Sequence, residues 1–249
     1  MIIDNESLIN SINFYYMDKI TEIINELEKN QNPKNLEGMQ RYGIRFENAY
    51  GVNIPVLRNL AKKYKHDHEL ALRLWETKIH EAMIMAFLID DPAKVTKKQM
   101  QNWVKDFKSW DICDGCCSNL FDKTPWAYEY ALKWTGNKSE FIKRAGFVMA
   151  AVLSVHDLKA EDDKFLRFLP IIERESTDER NFVKKAVNWA LRQIGKRNTF
   201  LYKKAIKTAK RIKAIDSKSA KWIATDALRE FETETTKKIV ALREKRLKR

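Results

Sequence analysis

"FIKRAGFVMAAVL", Phe141–Leu153, and "FVKKAVNWALRQI", Phe182–Ile194, align without a gap at an offset of 41 residues. Phe, Lys and Ala coincide, Ile142 pairs with Val183, and Arg144 falls opposite Lys185. A period near 40 residues belongs to helix-pair repeats, in which each unit buries its apolar side by stacking on the next. The rest of the chain fits that pattern. Only 7 Gly and 5 Pro interrupt 249 residues, 44% of them hydrophobic, so breakers divide the sequence into short amphipathic segments that favour helix. The spacing predicts helices over about 7–28, from Pro55, and over 68–76, 79–90, 97–107, 110–121, 125–136, 139–154, 163–174, 179–195, 199–213, 217–231 and 233–247. A polar break falls at "KNQNPKNLEG", residues 29–38.

The expected fold is all-α, an α-α superhelix (solenoid) of HEAT-like helical repeats forming one domain over 1–249. Residues 1–30 would supply an N-terminal capping helix and 232–249 a basic C-terminal helix. Stacked helix pairs curve, and if the helices carrying Arg144 and Lys185 line the concave side, they make a basic groove.

Charge points to the partner. Lys plus Arg number 47 against 34 Asp plus Glu, a net charge of +13 and a pI near 9.5. Such an excess implies a polyanion, nucleic acid or an acidic membrane. The N-terminal "MIIDNESLIN" has acids where a secretory signal would have a basic start and an apolar run, and no stretch is long and apolar enough to span a bilayer. The expectation is a cytoplasmic protein, associated with the bacterial nucleoid when acting, with its three cysteines reduced.

Two constellations carry candidate chemistry. On the segment from Phe182, Lys185, Trp189, Arg192 and Lys196 recur at spacings of four, three and four and share one helical face. An exposed Trp among cations suits a nucleic-acid contact; a boundary core Trp with basic neighbours is the bland alternative. In "KSWDICDGCCSNLF", Lys108–Phe121, Ser109 reads as an N-cap and Asp111 as a first-turn acid, while Trp110 and Asp114 stand four apart on one face. Lys143 and Arg144 lie near a helix start, where the dipole disfavours cations, so either an external anion or a neighbouring acid must offset them.

Other frameworks fit poorly. Cys113 and Cys116 form a CxxC, but no α/β pattern surrounds it, and with Cys117 there are three thiols and no fourth ligand nearby for structural zinc. The four His are scattered, and no HExxH, P-loop, GxGxxG or GxSxG occurs. His80 and Glu81 read as the start of a packed helix.

Together these residues resemble the DNA alkylation repair enzymes, the AlkD-like HEAT-repeat alkylpurine DNA glycosylases. "SWDICD" is similar to that family's Ser-Trp-Asp-x-x-Asp, "FIKRAGFVMAAVL" to the buried helix that its basic residue opens, and "KKAVNWALRQ" to the phrase holding its second active-site Trp. The likeness runs from about Arg41 to Gly195, and "SAKWIATDALREF" from Ser219 has the look of the C-terminal repeat. The resemblance implies hydrolysis of the N-glycosidic bond of cationic N3- and N7-alkylated purines in base excision repair. It implies catalytic roles for Trp110, Asp114 and Trp189, and DNA contacts at Arg144 and Arg192, joined by Lys185 and Lys196 of the stripe and by Tyr42. It further implies no metal or organic cofactor, no base flipping, and a monomer acting on alkylated double-stranded DNA with no membrane or obligate protein partner. The alternative is a non-catalytic HEAT-like module that binds nucleic acid or serves as a protein scaffold.

Overall fold

A computed structural model describes residues 5–247. In chain order its helices are α1 (Asn5–Lys29), α2 (Pro33–Arg41), α3 (Ile54–Ala61), α4 (His68–Glu76), α5 (His80–Ile89), α6 (Lys97–Trp103) and α7 (Trp110–Asn119). There follow α8 (Ala127–Thr135), α9 (Glu140–His156), α10 (Asp162–Leu166), α11 (Phe168–Glu175), α12 (Asn181–Gly195), α13 (Thr199–Lys213), α14 (Lys218–Glu232) and α15 (Glu234–Leu247). Among the described residues no strand forms beyond one isolated bridge, Asn48 to Ile79. Among the described residues, too, no helix is long and apolar enough to cross a membrane.

The boundaries follow the sequence pattern except in two places. The polar break after residue 29 holds α2, which starts on Pro33 but buries none of its side chains, so it shows no apolar periodicity to read. The single helix expected over 163–174 breaks at Arg167, because Pro170 has no N–H to give the carbonyl four residues back, that of Leu166.

The described residues divide into two compact units: 5–96 with 108–120, and 97–107 with 121–247. In the first unit α5 is the hub, packing against α1, α3, α4 and α7. Of its ten residues only Leu88 is less than fully buried, as expected of a helix that is apolar all round. Glycine settles two close approaches there. Gly51 has φ +73, and a Cβ on it would overlap the Asn32 carbonyl. Gly115 lets α7 settle on α5, since a Cβ at this site would come within 2.5 Å of the Phe87 ring. Cys113, Cys116 and Cys117 are buried in the same unit and form no disulfide, filling space as small groups.

The second unit shows the repeat directly. One layer of helices runs α9, α12, α14 and the other α8, α11, α13, each helix packing on its neighbours within and across the layers. The equivalent Phe141 and Phe182 meet with ring centroids 5.4 Å apart. Hydrogen bonds recur at the repeat distance: Arg180 to the Lys138 carbonyl (2.7 Å), Ser219 to the Asp178 carbonyl (2.8 Å), Arg197 to the Ser154 carbonyl (3.0 Å). Phe147, Phe165 and Phe168 are fully buried in this unit, and cutting any of them to Ala would cost about 3–5 kcal/mol.

Candidate active site

In the first unit the candidate residues gather at the start of α7. Ser109 has the extended backbone of an N-cap, but its hydroxyl donates to Asp111 and does not accept an amide of the first turn. Asp111 in turn meets the Nε2 atom of His80 at 2.7 Å. Burial opposes its ionisation, yet the His80 hydrogen bond and charge, the Ser109 hydroxyl and the Ile112 amide together hold its carboxyl below the usual range. The acid that the sequence marks as an ordinary first-turn Asp therefore fastens α7 to α5.

His80 is 4% exposed and Glu81 1%, so neither is open to a ligand. Glu81 collects the amides of Tyr50 (3.0 Å), Gly51 (2.7 Å) and Val52 (3.2 Å), and the His80 amide donates to the Asn48 carbonyl at 2.9 Å. One end of α5 thus fixes both the 48–52 loop and α7. On the outward side of α7, Trp110 and Asp114 are half-buried, and the Trp110 indole donates to the Tyr42 carbonyl at 3.1 Å. Tyr42, at the end of α2, is 75% exposed. The first unit therefore brings together three of the residues singled out in the sequence.

In the second unit the α12 stripe shares one face as its spacing predicts, but its members have different fates. Lys185 is exposed and Trp189 half-buried. Arg192 bonds Glu230 and lies 3.8 Å from Asp226; Lys196, buried, meets Glu230 at 2.5 Å. Burial resists ionisation of Glu230, but Lys196 and Arg192 outweigh it and pull its pKa down. Arg144 is turned inward, giving Nη1 to the Phe182 carbonyl at 2.6 Å and stacking over the Phe182 ring. A phosphate could reach Lys196 or Arg144 only by displacing a protein partner. Open phosphate contacts fit Lys185, and the stripe is shorter than the sequence implies.

The cations at the start of α9 find their counter-charge inside the protein. Lys143 pairs with Glu175 at 2.7 Å and Asp178 at 3.1 Å, so no external anion is needed there. Burial pushes the Asp178 carboxyl up, while Arg180 and Lys143 pull it down further, to about 2. Not every exposed aromatic was singled out in the sequence. Trp222 on α14, 37 residues beyond Lys185, is 41% exposed with the Lys184 ammonium 5.1 Å from its ring. Its signal was the third copy of the helix pattern, "SAKWIATDALREF", with Trp at the Lys185 position. Among the described residues no group of His, Cys, Asp and Glu could hold a metal ion.

A family model described as DNA alkylation repair enzyme matches residues 23–231. The chain belongs to that family. Its curated relatives include the uncharacterized proteins Lin0241 of Listeria innocua and Lmo0209 of Listeria monocytogenes. The first is 24% identical over 75% of this chain and 83% of its own length, the second 24% identical over 49% and 56%. A solved structure from "a new family of proteins related to the HEAT-like repeat DNA glycosylases with affinity for branched DNA structures" superposes with a TM-score of 0.71. It shares 21% identity and covers 84% of this chain and 94% of its own. The fold is therefore the all-α, HEAT-like helical repeat that the 41-residue period predicts.

Proposed function

We propose that this family member is a DNA glycosylase that hydrolyses the N-glycosidic bond of cationic N3- and N7-alkylated purines in duplex DNA. The observation that carries the reading is α7: an indole and a carboxylate one turn apart on a helix whose other side is bolted to α5 through Asp111 and His80. An alkylated purine already bears positive charge and leaves readily. As its bond to the sugar breaks, the electron pair goes to the purine and neutralises it, while positive charge grows at the anomeric carbon. The Trp110 π face and the Asp114 carboxylate stabilise that charge. Water adds to the anomeric carbon and gives its proton to Asp114. Lys185 would hold a phosphate, which sets register without reading sequence. The chemistry needs neither a metal nor an organic cofactor, and it needs no enclosed base pocket, so the lesion can stay in the duplex.

Release of free 7-methylguanine from methylated duplex DNA tests this. Asp114→Asn should lower release about 10²–10⁴-fold, the usual scale for a lost proton acceptor, with helicity by circular dichroism unchanged. Trp110→Ala should behave likewise. Undiminished release by the Asp114 variant would remove the mechanism.

A second reading is a DNA-binding module without base excision. It is favoured by the superposed neighbour, named for affinity to branched DNA. Salt-dependent DNA binding with no base released by the wild type would select it.

A further inference from the structure

The strongest uncompensated charge of the second unit lies outside the α12 stripe, on α13. In its fifteen residues, "TFLYKKAIKTAKRIK", there are six cations and no acid. The Asn198 side chain caps its start, and Leu201, Ala205, Thr208, Ala209 and Ile212 are buried against the other layer. At 100° per residue, Lys203, Lys207 and Lys210 point directly away from that buried side, and all three are exposed. Arg211 is matched by Glu173 at 2.8 Å, but among the described residues no acid is paired with Lys203, Lys207 or Lys210. Like charges three and four apart repel and weaken a helix. The fold gains nothing from that repulsion, since any polar residue would serve a solvated face.

We infer that the outer face of α13 is a second DNA-binding surface that takes a duplex segment distinct from the one met by α12. The two helices pack across the layers, and on each the cations lie opposite the buried residues, so their cationic faces look away from one another. Two helix layers are about 20 Å deep. A duplex with a persistence length of about 150 bp cannot bend round that depth to touch both. Lys203 to Lys210 spans about 10 Å of helix, over which duplex DNA presents about six phosphates. A membrane surface fits less well, because Phe200 is the one large apolar side chain on α13 that lies exposed beside the lysines. The inference rests on DNA as the ligand of α12, not on base excision.

The test compares the full chain with a Lys203→Gln, Lys207→Gln, Lys210→Gln variant on a linear 20-bp duplex and on an immobile four-way junction, by fluorescence anisotropy across a salt series. The wild type should hold the junction about tenfold or more tighter than the duplex. The variant should lose that excess, and its salt slope on the junction should fall by about 2–3 units. Its affinity for the linear duplex should stay within about twofold. Equal losses on both DNAs, or none on either, would overturn the second surface. So would binding of phosphatidylserine vesicles by the wild type that the variant lacks. A junction-specific loss supports the proposal whether or not the protein releases alkylated bases, and base release is scored on the linear duplex alone.

Discussion

Helices α7 and α12 each place a tryptophan and a charged residue four positions apart, Trp110 with Asp114 and Lys185 with Trp189, yet the protein uses the two helices differently. The charge that anchors α7 is Asp111, on the side turned to α5, and it leaves the Trp110 and Asp114 face to the outside. On α12 the anchoring charges are members of the candidate face itself, Arg192 and Lys196, drawn to Glu230 of α14. Helical spacing says which residues share a face. Whether their charge is available depends on acids brought in from the next repeat, 34 to 38 residues later.

Removing the anchor of α7 should cost more stability than removing the anchor of α12. Asp111→Ala strands a buried imidazole and frees the Ser109 hydroxyl, which should cost about 3 kcal/mol, the scale for breaking one side of a buried pair. Urea unfolding would show it as a lower midpoint with an unchanged slope. If stability is untouched, α7 is held by packing alone and the contrast with α12 disappears.

Glu230→Ala addresses the other helix. It leaves Arg192 and Lys196 without their acid, and because the three side chains keep 10–28% of their exposure, water recovers part of the loss. A destabilisation of about 1–2 kcal/mol is expected. The same change should strengthen binding to linear duplex DNA by freeing two cations on the Lys185 face. Weaker binding would mean that Glu230 shapes the face and does not merely mask it.

These cases also mark how far the sequence could be read. The repeat was legible because Phe141 and Phe182, matched in the alignment, are in contact in the structure, and because burial on both sides of α9 forces an apolar run. Trp110 and Asp114 were legible because their relation is local, one helical turn. The partners of Lys143, Arg144, Arg192 and Lys196 were not, since each lies 32 to 38 residues away and no local pattern encodes it. The α13 lysines carried a readable signal, a fifteen-residue helix without an acid, that only gains meaning once the outward face is known. The hidden break before α11 was encoded in Pro170, and α2 was concealed by having no buried side.

Acid should loosen the network at the start of α9. Asp178 titrates at about 2 in the fold against about 3.9 when unfolded, so its folded-state pKa is depressed. Its contribution is complete above pH 4 and is lost as pH falls through 2. With solvent screening discounted, about 1–2 kcal/mol is at stake. Thermal unfolding followed from pH 5 to pH 2 should show this decline, and Asp178→Asn should flatten it. A decline of the same size in the Asn variant would assign it to other carboxylates.

The smallest expected effect separates charges on the shared face of α12 most cleanly. Each phosphate contact contributes about 0.9 to the slope of log K against log salt on duplex DNA. Lys185, exposed, should account for one such contact, so Lys185→Ala lowers the slope by about that amount and weakens binding about equally on any sequence. Lys196, buried against Glu230, should account for none, and Lys196→Ala should leave the slope unchanged while lowering the unfolding midpoint. The two residues are indistinguishable in a helical projection, standing eleven positions apart on the same face. If both variants shift the slope, Glu230 must release Lys196 when DNA arrives, and the ion pair seen in the free protein is a switch that the ligand opens. If neither does, the duplex meets α12 through Trp189 or not at all.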